Sequence, residues 1–248
     1  MRGNPRQRGI TQVKRAIRKT IIGRLYPFGQ YSHPVSSRVE RPAVSEDKAW
    51  LLRTLLVLQS PRAVFAAMRD DSAASAGARQ EPITALVLLA GIATMLWAPA
   101  VGTLLDDPRR DGVVVAVLAF IVGGLYGIAA YWIAGALLYF LAAAAGSEGS
   151  YRRARHIVGF AAAPLGLSLL LWPVRLSVYG GDVFRSGGAD SGAGDRVFGV
   201  LMLVALAWAL VLLAIGVRTV HHWSWARTFA VVAPIWVAAG ALAYMCAR

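Results

Sequence analysis

Along this chain, long uncharged apolar runs alternate with short charged breaks. Four runs are long enough to cross a membrane: Pro82–Leu105, Gly112–Ser147, Val197–Val217 and Thr228–Ala247. A fifth, Ile157–Tyr179, is interrupted only by Arg175. A spanning helix needs about 20 mostly apolar residues for a hydrocarbon core about 30 Å thick. The pattern therefore predicts five membrane helices, at about 83–105, 113–145, 157–179, 197–217 and 228–247. Val113 to Ala145 is 33 residues without a charge. As one helix it would be about 50 Å long, so it either projects past the bilayer or folds as a hairpin.

Charge separates these two options. With five spans and a cytoplasmic N-terminus, the cytoplasmic segments 1–81, 146–156 and 218–227 hold 15, 3 and 2 Lys or Arg, against six outside. Lys and Arg concentrate on the cytoplasmic side of membrane proteins. A hairpin at 113–145 would put Arg152, Arg153 and Arg155 outside. One long second helix is expected instead, with the C-terminus outside and the protein multi-pass in the cell (cytoplasmic) membrane. The first 40 residues lack the apolar core of a cleaved signal, so the first span would serve as the insertion signal.

The polar part of the chain divides at residue 49. A basic cytoplasmic tail, 1–49, is expected to be partly disordered, with an amphipathic helix near 8–25. There Ile10, Val13, Ile17, Ile21 and Leu25 recur on one helical face. Arg8, Lys14, Arg15, Arg18, Lys19 and Arg24 fill much of the remainder, a composition suited to anionic lipid headgroups. Residues 50–81 are expected to form short interfacial amphipathic helices ahead of the 82–248 bundle. One helix would start at Ser45, with Glu46 and Asp47 at its positive end, and carry the apolar run Trp50–Leu58. Another opens at Ser60-Pro61, with Phe65 and Met68 sharing a face. Asp70 to Gly77 reads as a flexible connection.

Composition agrees with a polytopic all-α membrane protein: 57% of residues are hydrophobic and 16% charged, with a net charge of +13. Soluble domains average roughly 45–50% and 25%. The basic balance does not imply nucleic acid, because the tail carries no recognisable module. The single cysteine, Cys246, permits no intrachain disulfide.

Chemistry is sparse. Intramembrane ionisable residues are the default functional candidates, and no Asp, Glu, Lys or His lies mid-span. Arg175 is read as an anchor that can snorkel to the outer interface, with binding of a headgroup or a neighbouring helix as the alternative. His221 and His222 are read as interfacial loop residues, and Ser168 has no base nearby in sequence. No catalytic, cofactor-binding or metal-binding residues are assigned and no cofactor is expected. Packing signals are clearer. Gly123-x-x-x-Gly127 permits close helix approach, and Pro99, Pro164, Pro173 and Pro234 are expected to kink or break spans.

Several short patterns then occur in a telling order. Ser60-Pro61-Arg62-Ala63-Val64-Phe65 precedes the spans. Gly146-Ser147-Glu148-Gly149-Ser150-Tyr151-Arg152-Arg153 follows the long second run and leads into Ile157-Val158-Gly159-Phe160-Ala161-Ala162-Ala163-Pro164. The fourth run ends Leu212-Leu213-Ala214-Ile215-Gly216-Val217-Arg218, then His221-x-Trp223-Ser224 and Ala226-Arg227. Over roughly 50–247 this resembles the bacterial branch of the Ypt-interacting protein (Yip) family of five-span membrane proteins. The resemblance implies an all-helical bundle with a cytoplasmic N-terminus and brings no catalytic residues. The Asp-Leu-Tyr-Gly-Pro motif of the eukaryotic relatives is absent.

The expected function is a non-enzymatic scaffold or adaptor. Its partners would be the bilayer, anionic headgroups, and other membrane or cytoplasmic proteins, and a homo-oligomer is compatible with it. The alternative is a transporter or lipid-translocating permease component, suggested by the prolines and the glycine-rich second helix. Against it stand the missing coupling carboxylates and the absence of internal repeats.

Overall fold

The computed structural model describes residues 54, 56–107, 111–180, 183, 187–188 and 191–246. All belong to one compact unit, Val44–Arg248. Among the described residues there is no strand. The helices are α1 (Pro61–Ala67), α2 (Ala73–Leu96), α3 (Pro99–Leu105), α4 (Gly112–Ala144), α5 (Tyr151–Ala161), α6 (Ala163–Leu167), a 3-10 turn (Ser168–Leu170), α7 (Leu171–Tyr179), α8 (Ala193–His221) and α9 (Trp225–Cys246). Among the described residues, three segments are long and apolar enough to cross a membrane: Val113–Ala144, Tyr151–Tyr179 and Ala193–His221. Trp225–Ala241 is a shorter apolar helix.

Short polar residues start three of the helices. The Ser72 hydroxyl accepts from the Ser75 amide at 3.3 Å and so opens α2. The Asp111 carboxylate accepts from Val113 N at 2.7 Å ahead of α4. The Ser150 hydroxyl accepts from Arg153 N at 3.0 Å ahead of α5. Each satisfies a backbone donor that the helix leaves unpaired. Asp70–Gly77 is therefore not a flexible connection. Small residues suggested a linker, but Ser72 turns the alanine-rich stretch into the first turn of a helix.

The uncharged second run is one unbroken 33-residue helix. It ends at Gly146, whose φ of +81° suits a residue without Cβ. There Gly146 N bonds Ala143 O at 2.8 Å and Ser147 N bonds Ala142 O at 2.9 Å, the paired closure of a Schellman motif. α8 ends differently, on His222 at φ +55°. A side chain pays about 1–2 kcal/mol in that region. His222→Gly should hold or slightly raise the melting temperature in detergent, and β-branched His222→Val should lower it.

Three of the four prolines lie where helices restart. Ala98 is extended (ψ 132°) ahead of Pro99, which opens α3 and ends the first apolar run as a continuous helix. Pro164 sits in the first turn of α6, where the third run changes from α5 into a short helix and a 3-10 turn. Pro173 lies in the first turns of α7, and Pro234 lies inside α9.

α2 is the central packing element, in contact with α4, α5 and α6. α8 packs on α1, α5, α6 and α9, and α9 also touches α4. The main core joins Phe65 of α1 and its C-cap Met68 to Ile83, Leu138, Ile157, Phe160, Leu212 and Val217, all essentially inaccessible. Phe65 and Met68 do share a buried face. Gly216 makes room for α1, since a Cβ there would come within 2.9 Å of both Phe65 and Ile157. By contrast, α4 leaves Val113, Leu125, Ile133 and Phe140 between 62% and 72% exposed. An apolar surface that long suits a lipid environment.

Candidate functional site

The chain reverses direction so that one end of the bundle collects the starts of α2, α5 and α9 and the ends of α4 and α8. This end carries Arg62, Arg69, Arg79, Arg152, Arg153, Arg155, Arg218 and Arg227 against Asp70, Asp71, Glu81 and Glu148. Asp71 is its hub. Its carboxylate accepts from the Ser150 hydroxyl at 2.5 Å and from Arg152 Nε at 3.2 Å. Arg79 Nη2 lies 3.6 Å away and Arg153 Nη2 3.8 Å away. The Arg152 guanidinium also donates to the Asp71 carbonyl at 2.6 Å. One carboxylate thus ties the start of α2 to the start of α5.

Arginines also close helix ends. Arg69 donates through Nε and Nη2 to Thr219 O, at 3.2 and 2.7 Å, in the last turn of α8. Arg227 of α9 donates to Ala145 O at the end of α4. A cation at a helix C-terminus meets both an unpaired carbonyl and the negative end of the helix dipole. Arg153 further donates to Arg69 O at 3.2 Å. His221 hydrogen-bonds Ser147 at 3.2 Å and stacks on Trp223 at 4.6 Å. It is the last residue of α8 and has a fixed partner, not a loop position. With Tyr139, Ser150 and Arg153 it lines a shallow cleft.

Burial pushes the Asp71 carboxyl up, but the Ser150 hydrogen bond and the Arg152 charge outweigh it. The group is held below its ordinary value of 3.8. A carboxylate depressed by folding gives stability that is complete above its unfolded value and is lost as pH falls through its folded value. The melting temperature should therefore hold from neutral pH to about pH 5 and decline below about pH 4. The Asp71→Asn variant should start lower and lose less over that acid range.

The opposite end has its own tie. Arg175 donates to Asp195 at 3.0 Å and is 6% exposed. Its guanidinium lies 5.0 Å from the Trp97 ring, 5.1 Å from Trp172 and 5.6 Å from Phe198. Arg175 therefore does not snorkel into water. It joins α7 to the start of α8 and the end of α2, through partners too distant in sequence to be read from their spacing.

Gly123 and Gly127 meet α2. A Cβ on Gly127 would lie 3.0 Å from Gly91 Cα and still closer to Val87 O; one on Gly123 would lie 2.8 Å from Ile92 Cα. Their partner Gly91, an isolated glycine in an apolar run, carried no sequence signal. The basic residues Arg8, Lys14, Arg15, Arg18, Lys19 and Arg24, and the start of the helix expected from Ser45, lie outside the described residues; of its apolar run, Thr54 and Leu56 are helical and Val57 is buried. Among the described residues no group of three His, Cys, Asp or Glu could hold a metal ion.

Residues 55–246 match the family model of the Yip1 domain. No curated protein and no solved structure matches the chain. The match takes in every helix from α1 to α9, and with it both arginine ties and the glycine crossing. An all-helical chain with several apolar, membrane-length helices, matched over this range, belongs to the Yip1-domain family.

Proposed function

We propose that the protein is a non-enzymatic, five-span scaffold or adaptor of the cell membrane. In this reading α2 with α3, α4, α5 to α7, α8 and α9 are the five spans. The arginine-rich end faces the cytoplasm and the C-terminus lies outside. The observation that carries the proposal is the charge of that end, eight arginines against four carboxylates among the described residues. Such an excess favours the cytoplasmic face. The Asp71 and Arg175 ties, one at each end, support a fixed frame over a moving one. The basic tail 1–49 is the proposed contact for anionic lipid or a cytoplasmic partner, with its helix near 8–25 as the lipid-facing element.

Two measurements test this. Protease added to right-side-out vesicles should remove a C-terminal tag and spare an N-terminal one; the reverse pattern would overturn the orientation. Cross-linking in native membranes, with full-length protein and a 50–248 form compared, should recover a partner only with the full chain. Equal recovery would move the contact to the bundle, and no recovery from either would remove the support for an adaptor.

A further inference from the structure

Arg155 is placed differently from the other arginines of its end. Its stem lies across Gly135 of α4, where a Cβ would come 3.0 Å from Arg155 Cα and closer still to its Cγ. The missing side chain lets the arginine reach over α4. Its guanidinium then sits 3.7 Å from the Trp132 ring, 5.0 Å from Tyr151 and 5.5 Å from Tyr131. The Tyr151 hydroxyl donates to Trp132 O at 3.1 Å and holds two walls of this cage together. Among the described residues, Arg155 has no carboxylate within ion-pair distance, and its Nε is buried without a hydrogen-bond partner. Tyr131 is 6% exposed and its hydroxyl is also unpartnered.

The surroundings specify what could complete such a site. Trp132, Ile133, Leu137 and Phe140 are exposed on the same stretch of α4. A cation held by aromatic faces keeps its planar donor edge for an oxyanion. Arginine recognises phosphate through paired, charge-assisted hydrogen bonds. The apolar surround suits acyl chains and not a freely soluble ion. We propose that the Arg155 cage binds the phosphate of an anionic phospholipid, with the acyl chains lying along the exposed face of α4. The site uses no residue of the basic tail 1–49. It rests on the membrane reading above, and its assignment to the cytoplasmic leaflet rests on the orientation proposed there.

The test uses delipidated full-length protein in detergent, titrated with phosphatidylglycerol or phosphatidylcholine and followed by native mass spectrometry. Wild type should retain one phosphatidylglycerol that R155Q does not, with an apparent affinity at least about tenfold weaker in the variant. Y131F should weaken it about threefold, and R155K should fall between wild type and R155Q, because it keeps charge but loses the planar fork. Excess inorganic phosphate should not displace the lipid. Equal retention of phosphatidylcholine, displacement by inorganic phosphate, or unchanged retention in R155Q would each overturn the proposal. Should R155Q fail to fold, unchanged binding in both Y131F and R155K would do the same. A protein that integrates into membranes yet retains no anionic lipid would sink this inference and leave the membrane reading intact.

Discussion

Gly127→Val is expected to yield little folded protein, and Gly91→Ala to lose at least about 3 kcal/mol, the upper range for overpacking. At this crossing the neighbours are backbone. A Cβ on Gly91 would meet Gly127 Cα and N at 2.5 Å, and the Gly123 carbonyl closer still. A side chain could rotate away, but two helix backbones must separate, taking the α2–α4 packing with them. Gly77 and Gly199 are the controls, each in a helix with open space where a Cβ would sit. Alanine there should leave stability unchanged or raise it by up to about 1 kcal/mol. Thermal or denaturant unfolding in detergent reads all four. If Gly91→Ala behaved like Gly77→Ala, the close crossing would be wrong.

Asp71→Asn should cost about 3 kcal/mol, the scale for breaking a buried pair by deleting one partner. The Arg79 side chain is fully buried and lies 3.6 Å from the Asp71 carboxylate. The substitution leaves that guanidinium buried and removes one of its negative neighbours, Asp70 being another. It also weakens the links from Ser150 and Arg152, so α5 loses its anchor to α2. The double variant Asp71→Asn/Arg79→Met should recover part of the loss, because an apolar side chain tolerates the site once the charge is gone. A double variant no more stable than Asp71→Asn alone would show that Arg79 does not carry the cost.

Those two sites also mark how far the sequence could be read. The long apolar runs, α4 among them, were legible because hydrocarbon thickness sets their length and a single charge would interrupt them. Phe65 and Met68 were legible from local spacing, since i and i+3 share a helical face. The Asp71 hub was not, because its partners Ser150, Arg152 and Arg153 lie some 80 residues away. The stretch 70–77 looked like a linker because alanine, serine and glycine serve both loops and helix starts, and only the Ser72 cap decides between them. Gly123 and Gly127 formed a recognisable pair, whereas Gly91 had no companion on its own helix. Arg175 looked like an interfacial anchor because a lone arginine near a span end usually reaches water. Its contacts with Asp195, Trp97 and Phe198 exist only once three segments meet.

The tight crossing joins α2 and α4, which follow one another closely along the chain, so its two halves can meet while the later helices are still being made. The seat of α1 cannot form so early. Phe65 needs the gap at Gly216, and Arg69 needs Thr219, 150 residues further on. At about 5–20 residues per second, that interval is roughly 8–30 s. For that time the apolar face of Phe65 and Met68 has no seat in the bundle and stays open to lipid or to a chaperone. Nascent chains stalled before residue 216 should therefore expose this face, and chains released after residue 221 should hide it.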